Sequence, residues 1–65
     1  MNFIEIAVEI PRSKPELSDI VVAFLAELEF DSFSEEGGKL FAYTEEKKFN
    51  EAEVVEVLEN FKLDY

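Results

Sequence analysis

Carboxylates and lysines are the side chains through which this sequence would have to do acid–base chemistry, because it contains neither His nor Cys. The lack of His removes the commonest general base and the commonest metal ligand. The lack of Cys removes a disulfide framework, a thiolate nucleophile and a zinc–thiolate site. Sixteen Asp and Glu stand against six Lys and Arg, yet no pair among them is spaced in a way that suggests catalysis. Asp31, Glu35 and Glu36 are acidic neighbours without the loop and ligand spacing of a calcium site. Glu45-Glu46-Lys47-Lys48 reads as a polar loop. The two glycines, Gly37 and Gly38, are adjacent, so there is no glycine-rich loop to cradle a phosphate. These residues predict no catalytic site, no metal site and no cofactor in this chain.

The formal net charge of −10 acts on partner choice instead. It opposes binding to phosphate backbones, which recruit Lys and Arg. It favours solubility and a basic protein partner, at some cost in self-repulsion. The longest apolar run, Ile20 to Ala26, is far short of the roughly 20 residues of a spanning helix. The N-terminus lacks a basic stretch followed by an apolar one, as a secretory signal requires. The expectation is a cytoplasmic protein with neither a nucleic-acid nor a membrane partner.

The elements that would carry any site follow from periodicity. From Asn2 to Ile10 the pattern alternates, with Ile4, Ile6, Val8 and Ile10 on one side and Phe3, Glu5, Ala7 and Glu9 on the other. That is a half-buried strand, ended by Pro11. Ser13 and Glu16 have capping-box spacing with Pro15 in the first turn. Leu17, Ile20, Val21, Phe24, Leu25 and Leu28 then recur at helical spacing, which predicts a core-facing helix from about Pro15 to Leu28. Ser32 to Glu36 and Lys39 to Thr44 read as two strands joined at Gly37-Gly38, where a two-residue hairpin turn needs positive φ. That turn pairs Glu36 with Lys39, Ser34 with Phe41, and Phe33 with Ala42. It puts Phe33, Leu40 and Ala42 on one face and Phe41 and Tyr43 on the other. A second helix begins after Asn50 as cap, with Glu53 closing the box and Phe49 stapled onto Val54. Ala52, Val55, Leu58 and Phe61 extend its apolar stripe.

This order predicts an α+β, two-layer domain spanning residues 1–65, with both helices on one face of an antiparallel or mixed sheet. The third strand is expected between the first two, which run parallel. A split β-α-β-β-α-β unit needs a fourth strand, which would lie against the free edge of the first. The chain therefore reads as a fragment of a longer protein. The sheet face away from the helices should expose Phe3, Phe41 and Tyr43 beside Glu5 and Glu9. In RNA-recognition domains aromatics on such a face stack bases, but the acidic charge and a single nearby Lys argue against that use. These five residues are the candidate partner-binding site. Arg12, Lys14, Lys39 and Lys62 are expected at one end of the domain.

Three stretches together carry a family resemblance. They are Phe3-Ile4-Glu5-Ile6, Leu25-Ala26-Glu27-Leu28-Glu29-Phe30-Asp31-Ser32-Phe33, and Gly38-Lys39-Leu40-Phe41-Ala42-Tyr43. They resemble the N-terminal domain of PrmA-type ribosomal protein methyltransferases, which methylate protein eleven of the large ribosomal subunit. The resemblance implies a ferredoxin-like substrate-recognition module, itself non-catalytic, with a basic large-subunit ribosomal protein as partner. It implies that S-adenosylmethionine and the transfer to lysine or N-terminal amines belong to a separate catalytic domain, which this module would also contact. The alternative is a free-standing acidic ferredoxin-like interaction or regulatory domain. Family members usually have Gly where this chain has Glu29. A left-handed residue there costs an ordinary L-residue about 1–2 kcal/mol, so either the helix ends differently or the backbone is strained.

Overall fold

The structure is a computed structural model that describes residues 2–63. Strand β1 (Phe3–Glu9) is followed by helix α1 (Leu17–Glu27), the hairpin β2 (Ser32–Glu36) and β3 (Lys39–Glu45), a short 3₁₀ turn over Glu46–Lys48, and helix α2 (Glu51–Asn60). The strands form one sheet in the order β1-β3-β2. Both neighbouring pairs are antiparallel, so β1 and β2 run in the same direction on either side of β3. The expected fourth strand would follow Leu63 and lies outside the described residues.

The hairpin turn has the backbone its sequence demands. Gly37 and Gly38 have φ of 59° and 77°, the two positive values of a type I′ turn. The turn sets the register Glu36↔Lys39, Ser34↔Phe41 and Phe33↔Ala42. On the other side of β3 the register runs from Phe3↔Glu45 through Ile6↔Ala42 to Glu9↔Lys39. Alternation then places Ile6, Val8, Leu40 and Ala42 on a single face, where they are buried with Val21 and Leu25 of α1 and Val54 and Leu58 of α2. Both helices thus cover the same side of the sheet.

Helix α1 departs from the expected start. The Ser13–Glu16 capping box does not form, and Glu16 makes no side-chain cap. Instead the segment coils through successive turns, with the amides of Lys14, Leu17 and Ser18 donating to the carbonyls of Pro11, Lys14 and Pro15. The buried stripe of α1 is also rotated from expectation. Its most buried residues are Ser18, Val21 and Leu25, while Ile20 and Phe24 are exposed. Successive helical residues turn by about 100°. A face centred on Val21 and Leu25 therefore leaves Ile20 and Phe24 beside it.

Helix α2 starts as expected: the Asn50 side chain accepts from the Glu53 amide at 3.2 Å. Val54 and Leu58 are buried, and Val55 and Phe61 are half-buried, but Ala52 is exposed. The stripe here is narrower than the sequence pattern suggested.

The two helices end alike. The Phe30 amide reaches the Leu25 carbonyl and the Glu29 amide that of Ala26; the Leu63 amide reaches Leu58 and the Lys62 amide reaches Glu59. Each set is a Schellman motif with its left-handed residue after the cap. Those residues are Glu29 (φ 70°) and Lys62 (φ 58°), neither of them Gly. Of the two possibilities for Glu29, the chain adopts the strained one. Burial of the following residue, Phe30 or Leu63, in the core offsets that strain. At the first site Thr44, fully buried on β3, adds a hydrogen bond from its hydroxyl to the Glu29 carbonyl at 2.9 Å.

Candidate functional site

The sheet face opposite the helices is built by alternation and register alone. Hydrogen bonds at both ends of β1 set its parity: the Glu46 amide donates to the Asn2 carbonyl, and the Ile10 amide to the Gly38 carbonyl. Even-numbered residues of β1 therefore direct their backbone groups to β3, and Phe3, Glu5, Ala7 and Glu9 direct theirs to the outer edge. The side chains of those same four residues stand on the open face. Register lays them in rows: Phe3 beside Glu45, Glu5 beside Tyr43 and Ser32, Ala7 beside Phe41 and Ser34, Glu9 beside Lys39 and Glu36.

All five candidate residues thus share this face. Glu5, Phe41 and Tyr43 are immediate neighbours, with Ala7 completing the apolar centre. Phe3 and Glu9 lie at opposite ends of β1. Phe41 and Tyr43 are half-buried rather than exposed, while Phe3, Glu5 and Glu9 are exposed. The reason is that β3 is central, so strands on both sides shield its side chains. The sequence reading did not include Ser32, Ser34, Glu36, Lys39 and Glu45 in the face. The hairpin register carries that signal for Ser34, Glu36 and Lys39, whereas Glu45 is placed by its pairing with Phe3.

The Tyr43 phenol has a raised pKa. Hydrogen bonding to the Glu5 carboxylate favours the neutral phenol, and desolvation and repulsion from that carboxylate act the same way. Its pKa is raised above the ordinary 10.0 despite an opposing contribution from Ser34. At neutral pH the face presents a phenol between apolar surface and carboxylates. Glu45, at the far end, gathers Lys47 at 3.7 Å and Lys48 at 3.6 Å. These contacts are solvent-accessible and contribute little stability.

The acidic trio Asp31, Glu35 and Glu36 does not converge. Glu36 pairs with Lys39 on the open face, and Glu35, one residue earlier, is on the helical side opposite Leu40. Basic residues do gather at the hairpin end. Arg12 lines a shallow depression with Ile10, Pro11, Pro15, Glu35 and Gly38, and Lys62 lines a second with Glu9, Ile10, Pro11 and Leu63. Lys39 pairs with Glu9 at the same end, and Lys14 is tied back to Pro11. Both depressions mix a carboxylate with a cation. Among the described residues, no group of three or more His, Cys, Asp or Glu is placed to hold a metal ion. No helix among them is long and apolar enough to cross a membrane.

Comparison with known proteins finds no matching family model, no matching curated protein and no matching solved structure.

Proposed function

We propose that this chain is a non-catalytic protein-recognition module that docks a basic protein on its open sheet face. In its specific form it is the N-terminal substrate-recognition domain of an S-adenosylmethionine-dependent ribosomal protein methyltransferase. The sheet is then completed to a ferredoxin-like β-α-β-β-α-β unit by a strand against the outer edge of β1. The partner is a basic large-subunit ribosomal protein in the cytoplasm. Cofactor and methyl transfer reside in a following catalytic domain, which the module also contacts.

One observation carries the docking reading: the apolar centre of Ala7, Phe41 and Tyr43 adjoins Glu5, with the row Glu9, Lys39 and Glu36 at one end and Glu45, beside Lys47 and Lys48, at the other. Rigid aromatic area supplies contact and the surrounding carboxylates select a cationic partner. The methyltransferase form rests on the three resembling stretches. The test is capture of the basic ribosomal protein by the wild-type chain and by the Phe41→Ala/Tyr43→Ala variant. Capture by wild type and loss in the variant is the expected result. Equal capture by both would move the interface off this face, and capture by neither would remove the ribosomal partner.

The free-standing interaction domain is the second reading. The outer edge of β1 favours it, with Phe3, Glu5, Ala7 and Glu9 offering strand-pairing groups and no Pro or inward-facing charge to block them. Concentration-dependent self-association of the chain would support it.

A further inference from the structure

The two helices of the one layer differ in their outward faces. On α2 the exposed residues include Glu51, Glu53, Glu56, Glu59 and Asn60, as a solvated helix requires. On α1 they include Ile20, Ala23, Phe24 and Ala26 beside Asp19 and Glu27. Ile20 is 40% and Phe24 45% exposed. The Ser18–Val21–Leu25 side of α1 meets the core, which leaves Ile20 and Phe24 as large apolar side chains outside it. Phe24 is joined edge-on by Phe61 from α2, with ring centroids 5.5 Å apart. The exposed apolar surface is therefore contiguous across both helices rather than scattered.

This patch has a charge pattern as well as an apolar centre. At about 100° per residue, Glu16, Ile20, Ala23, Phe24 and Glu27 fall within roughly 100° of the circumference of α1. Glu16 and Glu27 close the stripe at its two ends, both exposed. Eleven residues of helix separate them, or about 16 Å. Ala23 between the larger side chains leaves room for a second helix to approach closely. A second copy of the chain is a poor occupant. An α1–α1 contact would set these carboxylates against their own kind, in molecules that each carry a net −10.

We infer that the outer face of α1, with Phe61 of α2, docks an amphipathic helix of a partner protein that has an apolar seam and Lys or Arg about eleven residues apart beside it. This surface is separate from the open sheet face and lies on the opposite side of the molecule. The partner helix packs its seam over Ile20, Ala23 and Phe24 and sets its cations against Glu16 and Glu27.

The test uses a synthetic helical peptide of roughly three heptads, with Leu at the seam and two Lys eleven residues apart, titrated into the isotope-labelled chain and followed by amide chemical shifts. Saturable shifts are expected at Ile20, Ala23, Phe24 and Phe61. A peptide with Glu replacing both Lys should bind at least tenfold more weakly. Glu16→Lys/Glu27→Lys, which leaves the core untouched, should invert that preference. Ile20→Ser/Phe24→Ser should abolish binding while amide dispersion is kept. The inference is overturned if shifts are absent or confined to the sheet face, or if the charge swap leaves the preference unchanged. A concentration-dependent dimer whose interface shifts fall on α1 would overturn it too, because the occupant would then be a second copy. Because the reporters are residue-specific, the outcome is independent of whether Phe41 and Tyr43 bind a ribosomal protein.

Discussion

At Tyr43, a neutral phenol beside a carboxylate makes a definite pH dependence. Its folded-state pKa is raised above the unfolded value of about 10. The stabilising contribution is therefore present in full below the unfolded pKa and is lost as pH rises through the folded one. Tyr43→Phe should remove this component. The unfolding midpoint of wild type should fall more steeply than the variant's as pH rises above about 10, measured by chemical denaturation across alkaline pH. Parallel curves would show that Glu5 does not couple to the phenol.

Glu29 and Lys62 are the strained residues. Replacing either with Gly relieves about 1–2 kcal/mol of left-handed strain and returns about 0.5–1 kcal/mol of unfolded-chain entropy. Each substitution should therefore stabilise by somewhat under about 1 kcal/mol, raising the melting temperature by a few degrees in a domain of this size. A lower melting temperature for Glu29→Gly would mean that the Schellman end is held by something other than tolerated strain.

At the scale of the elements, alternation and turn chemistry were legible where few physical terms compete. In β1 a period of two decides which side is buried, and Gly37-Gly38 admits few turns, so the hairpin register followed from sequence. The open-face residues followed with it, in kind if not in full. The start and rotation of α1 were not legible. Ser13 and Glu16 carry a capping pattern, but the run from Pro11 to Pro15 folds instead through turns closed by its own backbone carbonyls. The apolar residues of α1 span a wide arc, and the stripe read from Leu17, Ile20, Val21, Phe24, Leu25 and Leu28 included Ile20 although Glu16, Asp19 and Glu27 border it. Ser18 is buried with its hydroxyl lacking a protein partner among the described residues, which no hydrophobicity pattern anticipates.

Core placement sets which truncation is fatal. Leu25 is fully buried, whereas Phe33, on edge strand β2, is only half-buried. Leu25→Ala should cost about 2–5 kcal/mol, comparable to the whole stability of about 3–5 kcal/mol that a core this small supplies. Its amide spectrum should collapse, while Phe33→Ala should remain dispersed and melt lower. Asn50→Ala removes the one side-chain cap described at a helix start and should cost about 1 kcal/mol, read as a lower denaturant midpoint with unchanged slope. A dispersed Leu25→Ala spectrum would contradict the assignment of the core.

At the scale of the whole molecule, charge and apolar surface have different tasks. In the proposed complex, the net charge of −10 would steer a cationic partner and set the association rate, over a range of about 8–10 Å at ordinary ionic strength. The aromatic centre would then set how long that partner stays. Added salt should therefore slow association with a basic protein more than it speeds release. Truncating Phe41 and Tyr43 should do the reverse.

That division points to calorimetric titration of the basic large-subunit ribosomal protein into the chain, comparing wild type with Phe41→Ala/Tyr43→Ala and with Glu5→Gln/Glu9→Gln. The expected result is saturable one-to-one binding by wild type, weakened at least tenfold, or about 1.4 kcal/mol, by loss of the two aromatics. The two carboxylate changes should have a smaller, salt-dependent effect, and all three proteins should share one folded spectrum. Equal affinities for wild type and the aromatic variant would contradict the central claim that the open sheet face is the docking surface.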